Sequence, residues 1–376
     1  METILEQKLN IDKSTWQKVK FGDVVKEPKE SIKDPVSSGV EHVIGLEHII
    51  PEEIHLRKWN TLEDGKTFTK AFKTGDVLFG RRRAYLKKAA QAPFNGICSG
   101  DITVFRAKEH LLPELLPFIV NNDKFFDYAV KYSAGGLSPR VKFKDLANYE
   151  FLLPPKAQQA QLAELLWAMD GLIEKQKDVF KQLDYLFKSK AKYISDNHIH
   201  EGEYRKVKNV CQIKDNQRRP LNSSQRAKMK GDIPYYGANG RVDFLDDFLF
   251  DEELVLIAED GGNFKEFFDK ELAYKISGKS WVNNHAHVLA IKDEKLTIDW
   301  IYYSLVHKNI LKYIIGTTRL KLNKSELENI PIWIPQPEVI QELSTEMEMI
   351  STNRRNVHHL LSKSFDLQKN LINQIF

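Results

Sequence analysis

Two cysteines in 376 residues, Cys98 and Cys211, lie far apart and neither has a Cys-x-x-Cys neighbour, which argues against a disulfide scaffold and against a cysteine zinc site. No stretch approaches the roughly 18 to 20 apolar residues of a membrane helix. The opening residues are acidic where a signal peptide would carry a basic end and an apolar run, so a cytoplasmic address with no membrane partner is expected. An excess of one charge is also missing: 56 basic against 52 acidic residues leave a net +4. A nucleic-acid reading must therefore rest on where the basic residues fall rather than on their sum. What remains is globular material, 42% hydrophobic and 29% charged with mean hydropathy −0.44. The length suits two domains plus connecting elements.

The chain repeats itself over a long period. Trp16-Gln-Lys-Val-Lys20 is answered 188 positions later by Tyr204-Arg-Lys-Val-Lys208. Val77-Leu78-Phe79 is answered by Val255-Leu256-Ile257 at an offset of 178, and Arg140-Val-Lys-Phe143 by Arg319-Leu-Lys-Leu322 at 179. Leu146, Asn148 and Pro154 are answered at 181 by Leu327, Asn329 and Pro335. The order is kept and the offset drifts by only about ten, as loop insertions in a duplicated chain would make it.

Each half closes on a heptad seam. After Pro154-Pro155 the positions Leu162, Leu166, Met169, Ile173, Phe180, Leu183 and Phe187 recur at steps of three and four, with Gln176 as the polar exception. After Pro335 and Pro337 come Leu343, Met347, Ile350, Val357, Leu361, Leu371 and Ile375, interrupted by Arg354, Ser364 and Gln368. The prolines suit first turns, where their missing N–H costs little. Helices of this length cannot bury such stripes alone, so pairing with each other is the simplest outcome; helices that pack only on their own domains are the alternative. Leu165, Leu172, Leu186, Leu360, Leu367 and Ile372 widen the stripe, so a globular end or a further partner is expected to cover them.

Before each helix, short apolar runs at Val77 to Phe79, Ile102 to Phe105 and Phe151 to Leu153, and again at Leu254 to Ile257, His287 to Ile291 and Ile332 to Ile334, are divided by Gly, Asn and Asp turns. With helical stretches at Leu111 to Tyr132 and Ile298 to Ile314, this predicts an α+β fold. The expected organisation is a lead segment over 1–15, a first domain over 16–154, a central long helix over 155–197, a second domain over 198–335 and a C-terminal long helix over 336–376.

Catalytic and cofactor motifs are scarce. Ala273 to Ser280 fits a permissive phosphate-loop pattern but has neither the preceding apolar strand nor the following helix that would aim N–H groups at phosphates. Asp34 with Asp64-Gly-Lys66 imitates a nuclease centre, yet Asp64-Gly65 reads as a turn between strands. His285 and His287 alternate on a strand without an evident third ligand, which favours a hydrogen-bonding role over a metal site. No metal, no cofactor and no catalytic residue is assigned to the chain.

Basic residues are densest in Phe79-Gly-Arg81-Arg82-Arg83-Ala-Tyr85-Leu-Lys87-Lys88, which follows an apolar strand and so falls on a loop. Arginine there can grip phosphate or take the two acceptors of a guanine edge, and lysine adds sequence-blind attraction; a solvated basic turn is the alternative. Arg140 and Lys142 follow a glycine-bearing loop in the same half. In the second half Glu259-Asp-Gly-Gly-Asn263 stands at the matching place, and the candidates are Arg218, Arg219, Tyr235, Tyr236, Asn239, Arg241, Asn263, Lys265, Arg319 and Lys321. Two heads of different surface chemistry would read different sequences.

Taken together, the Val77 to Tyr85 run, Ile233-Pro-Tyr-Tyr-Gly-Ala-Asn-Gly240 and the Pro-Pro-x-x-x-Gln element at Pro154 to Gln159 resemble the specificity subunits of type I restriction-modification systems, over nearly the whole chain. The second repeat departs from that element, with Gln336-Pro-Glu-Val-Ile-Gln341 in its place. The resemblance implies two target-recognition domains separated by two long antiparallel helices, each domain reading half of a bipartite DNA target while the helices set the unread spacer. It also implies docking of two methyltransferase subunits, which use S-adenosylmethionine, and of ATP- and Mg-dependent restriction and translocase subunits. On this reading the chain itself does no chemistry. A coiled-coil adaptor with protein-binding heads is the rival.

Overall fold

The computed structural model describes residues 11–63, 67–196 and 201–376. The chain divides into two compact units: residues 1–176 with 360–376, and residues 177–359. Each unit holds one α+β domain and parts of both long helices, which span Lys156–Asp196 and Pro337–Ile375.

In the first unit a four-stranded antiparallel sheet runs in the order Val25–Lys26, Ile102–Ala107, Val77–Gly80, Ala89–Gln91. A second sheet places Gly96–Cys98 between Val43–Ile44, parallel to it, and Lys70–Phe72, antiparallel. The strand Val77–Gly80 is buried on both faces because its alternating side chains enter two different cores. Val77 and Phe79 join Phe21, Phe105 and Phe125 beneath the helices, while Leu78 joins Ile102, Val104 and Ile44 between the sheets. This is why the sequence there is a continuous apolar run rather than an alternation. Phe21 meets Phe105 edge-on with centroids 5.1 Å apart, the geometry that aromatic quadrupoles favour. Gln17–Lys20 and Glu150–Leu153 pair antiparallel where the domain meets its helix.

The second unit repeats this plan with strands added. Its four-stranded sheet runs Cys211–Ile213, Ala286–Ile291, Leu254–Ala258, Ala273–Ile276. In its other sheet Lys279–Val282 lies parallel to Ile233–Gly237 and antiparallel to Phe250–Asp251, with Gly240–Leu245 added at the edge. Gly202–Lys206 pairs with Pro331–Pro335 as Gln17–Lys20 pairs with Glu150–Leu153. The α+β expectation holds, and all six apolar runs are strands.

The strand pairings correct the register of the repeat at two places. Phe21 N–H donates to the Tyr149 carbonyl at 2.7 Å, and Val207 does the same to Ile330 at 3.0 Å. Lys20 therefore answers to Lys206, 186 positions on, not to Lys208. Likewise Val141 N–H donates to the Arg81 carbonyl and Leu322 N–H to that of Glu259, so Arg140 answers to Lys321 and not to Arg319. Both errors are shifts of two. In a strand such a shift leaves every side chain on its own face, so similarity of type cannot detect it.

The long helices run antiparallel. In the first unit Leu166, early in the central helix, shares a core with Leu371 and Ile375 from the end of the C-terminal helix, and Gln368 donates to the Leu166 carbonyl. In the second unit Phe187, late in the central helix, shares a core with Leu343, Met347 and Ile350. There Lys190 pairs with Glu346, and His358 lies against Phe180. Leu162, Met169, Leu183, Val357 and Leu361 are partly buried and Ile173 is buried, so none of the fourteen seam positions is exposed. The polar interruption at Arg354 is met inside the second unit: its guanidinium lies 4.2 Å from the Phe187 ring centroid and bridges Asp184 at 3.1 Å and Glu271 at 2.7 Å. Of the flanking residues, Ile372 is buried in the first domain's core, whereas Leu165, Leu172, Leu186, Leu360 and Leu367 stay exposed.

The Pro-Pro-x-x-x-Gln element has a structural explanation. Gln159 is buried, accepts from Leu112 N–H at 2.9 Å and donates to the carbonyls of His110 and Pro154. In the second repeat the position answering to Gln159 is Ile340, which is buried in the second domain's apolar core. Two solutions to one junction account for the divergence of the two elements.

Candidate nucleic-acid interface

In the first domain three loops meet at one rim: the turn after Val77–Gly80, the turn before Ile102–Ala107, and residues 134–140. Backbone bonds tie them together, with Arg81 N–H donating to Asp101, Arg83 N–H to Pro139 and Val141 N–H to Arg81. Asp101 is the organiser. Burial works against its ionisation, but hydrogen bonds from Arg140 at 2.8 Å and Arg82 at 3.2 Å outweigh that and hold its carboxyl below the ordinary range. Ser138 Oγ adds a second contact to Arg82 and a longer one, 3.4 Å, to Arg83.

The basic run is not uniformly displayed. Lys87 donates to Asp123 at 2.5 Å, an ion pair that raises its pKa, and Lys88 donates to the Leu46 carbonyl at 2.7 Å. Arg81 and Arg82 are half-buried, and the Nε of each has no hydrogen-bond partner among the described residues. Arg83 and Tyr85 are exposed, as are Arg140 and Lys142. The 3-10 turn Ala84–Leu86 is bracketed by Arg83 at φ 54° and Lys87 at φ 50°, a left-handed conformation that is uncommon for side-chain-bearing residues.

In the second domain the matching rim carries different charges. Arg218 is drawn inward, bonding Glu259 at 2.7 Å and the Ala286 carbonyl at 2.7 Å. Lys321 pairs with Glu259 at 3.0 Å and Arg319 with Asp260 at 2.7 Å. Burial opposes ionisation of Glu259, yet Arg218 and Lys321 keep its pKa lowered. Arg219, Arg241 and Lys265 are exposed, and Arg241 lies over Phe244 with 4.5 Å to its ring centroid. Asn239 donates to the Gly261 carbonyl at 2.9 Å and lies 3.5 Å from Asn263. Tyr236, Asn239, Arg241 and Asn263 line a cavity of about 440 Å³.

Tyr235 is a correction. It is 2% exposed, and its hydroxyl meets the backbone of Leu221 at 3.1 Å. Strand alternation turns it into the cluster of Leu221, Leu245 and Trp281, while half-buried Tyr236 packs on the opposite side of the strand, so Tyr235 offers nothing to a ligand.

The sequence left His287 without a third ligand, but the fold brings two carboxylates to it. Asp215 lies at 2.6 Å from Nδ1 and Glu259 at 3.7 Å, while Nε2 donates to the Leu322 carbonyl at 2.8 Å. Both ring nitrogens are thus engaged with acceptors. The carboxylates already face Arg218 and Lys321, so the cluster has the chemistry of a buried ion network. His285 pairs with Asp260 at 2.6 Å. The phosphate-loop lookalike runs from strand Ala273–Ile276 through Gly278 at φ 71° into strand Lys279–Val282, which supplies no helix N-terminus. Asp34 bonds Ser37, whereas Asp64, Gly65 and Lys66 lie outside the described residues. Among the described residues no helix is long and apolar enough to cross a membrane. Cys98 and Cys211 are buried, which pushes both thiols up to about 12.

A duplicated α+β domain, each copy with a polar rim and each joined to one of two antiparallel helices, defines a class of paired recognition modules. The model of the type I restriction modification DNA specificity domain matches residues 13–183 and again 200–351, and the chain belongs to that family. A protein of Haemophilus influenzae named as a type I restriction enzyme specificity subunit is 40% identical over 143 residues, 38% of this chain and 36% of that protein. The EcoDI specificity subunit of Escherichia coli is 31% identical over 143 residues, 34% of this chain and 31% of its own length. The matches thus span about a third of these relatives. Among solved structures, a type I restriction-modification S subunit from M. genitalium superposes with a TM-score of 0.64 over 98% of both chains at 14% identity. A chain from a study of type I system assembly and conformational transition gives 0.58 over 96% of this chain and 97% of that one, at 18% identity. At these identities the likeness is one of fold. The adaptor reading is not favoured.

Proposed function

We propose that this chain is the DNA sequence-recognition subunit of a type I restriction-modification complex. Each domain reads one half of a bipartite duplex target, and the paired helices set the unread spacer and dock two methyltransferase subunits. Restriction and translocase subunits complete the complex in the cytoplasm. The chain does no chemistry itself: S-adenosylmethionine, ATP and Mg belong to those partners, with methylation acting on a base flipped out of the duplex.

One observation carries this reading. Two domains of equivalent topology present opposite charges at equivalent rim positions, Arg81 and Arg82 in one against Glu259 and Asp260 in the other. Equal scaffolds with unlike rims are what two half-sites of unlike sequence require, since base edges differ in the donors and acceptors they offer. The exposed Leu165, Leu172, Leu186, Leu360 and Leu367 on the helices support partner docking.

Methylation mapping in a host carrying the complete system tests it. The expected result is one motif made of two unlike blocks separated by a fixed number of unread bases. Methylation without sequence preference, or a single continuous motif, would overturn it.

A further inference from the structure

Resting on the reading of each domain as a reader of one half-site, we propose that Arg83 is the base-reading side chain of the first domain. It takes the two acceptors on the major-groove edge of a guanine, with Leu137 beside it as an apolar contact to a neighbouring base.

Three observations converge on this residue. The first is the division of labour in the basic cluster. Arg82 and Arg140 are held by Asp101, Lys87 by Asp123 and Lys88 by a carbonyl. Among the described residues Arg83 has no carboxylate within ion-pair distance, only the Ser138 hydroxyl at 3.4 Å. Arg81 is half-buried, so Arg83 is the exposed arginine of the run whose guanidinium no carboxylate holds.

The second is the duplication. Strand register places Arg83 opposite Gly261, and both positions are left-handed, at φ 54° and 64°. Glycine is the residue this conformation favours. The second domain has it; the first keeps an arginine in spite of the backbone. An arginine held in a conformation that disfavours side chains is a backbone outlier from which a functional role can be inferred.

The third is the surroundings. Residues 134–140 form a hairpin, closed by the Ala134–Arg140 pair and turned at Gly135 with φ 113°, that carries Leu137 at its tip, 96% exposed. A leucine so bare beside a cationic fork suits a groove floor, where apolar contact to base faces and thymine methyls accompanies guanidinium contacts. Anchored at its amide by Pro139, Arg83 starts from a fixed backbone, as base reading requires. Phosphate attraction needs no such aim, and exposed Lys142 can supply it.

The test compares the natural chain with Arg83→Gly and Arg83→Lys in the complete system, by methylation mapping in the host. The natural chain is expected to show a G·C pair in the half-site of the first domain. Arg83→Gly should raise methylation of sites with other pairs at that position about ten-fold relative to the cognate sites, with the second half-site and the spacer unchanged. Arg83→Lys should not restore discrimination, because it keeps the charge and loses the two-pronged geometry. Glycine suits the backbone, so purified Arg83→Gly should melt at or above the natural temperature. An unchanged motif, a uniform fall in methylation at all sites, a half-site without G·C, or a melting point several degrees lower would each overturn the proposal. Absence of any bipartite motif with the natural chain would instead sink the reading on which it rests.

Discussion

Arg82 donates to Asp101 at 3.2 Å in the first domain, and the two positions that answer to them in the second, Asp260 and His285, are joined at 2.6 Å with the carboxylate on the other side of the contact. Asp101 and Asp260 thus sit on opposite sides of the same loop contact. Asp101 also holds Arg140, as Asp260 also holds Arg319. Arg82→Asp alone sets two carboxylates together and should cost about 2 kcal/mol. Adding Asp101→His rebuilds the second domain's pair, and should recover about 1 kcal/mol as a coupling term in a double-mutant cycle measured by urea denaturation. Strict additivity would show that the pair is incidental.

Gln159 satisfies three backbone groups from a buried position. Gln159→Ala leaves the Leu112 N–H and two carbonyls without partners and should cost about 2 to 3 kcal/mol. Gln159→Ile, which copies Ile340, should cost a similar amount, because the first domain's backbone groups remain where they are. Thermal melts of both variants check this; a neutral Gln159→Ile would show that the junction can be sealed by apolar contact alone.

His55 ties the first domain to the central helix within the first unit. Its Nε2 lies 2.8 Å from Asp170, and that hydrogen bond raises its pKa in spite of burial. The folded state therefore favours the imidazolium. Its contribution is full below the ordinary histidine value of about 6.5 and fades as pH rises through the raised value. The stability gap between the natural chain and His55→Ala should be about 1 kcal/mol near pH 6 and close with increasing pH. A gap that stays constant from pH 6 to 9 would assign the residue to steric filling only.

Lys142 and Lys265 are exposed, one beside each rim. Replacing either with alanine should weaken duplex binding evenly across sequences and leave the methylated motif intact. The slope of log affinity against log salt should flatten by about 0.9 for each phosphate that is no longer neutralised. A changed motif would place a lysine on a base edge. An unaltered salt slope would remove it from the interface.

Much of the architecture was legible along the chain. The seam from Leu162 to Phe187 and its counterpart from Leu343 to Ile375 follow a local period, as do the apolar runs that became strands, because side-chain direction repeats every 3.6 or 2 residues regardless of what lies far away. The duplication was legible for the same reason, although not its register. Lys20 was matched to Lys208 and Arg140 to Arg319, when the strand pairings make Lys20 equivalent to Lys206 and Arg140 to Lys321.

The basic run was legible as charge but not as availability. Nothing beside Lys87 announces Asp123, and nothing beside Arg82 announces Asp101 or Ser138. Tyr235 and Tyr236 look interchangeable until the strand is seated, and His287 meets its two carboxylates only by folding.

The sequence alone determined two α+β domains, two long striped helices and a basic loop in the first half. Tertiary structure decided which cations are consumed by internal anions, which tyrosine is fully buried, and that the last turn, from Leu371 to Phe376, belongs to the core of the first domain. The physical reason is range. Periodicity is enforced by covalent neighbours, whereas burial and ion pairing depend on groups that become neighbours only when the chain closes on itself.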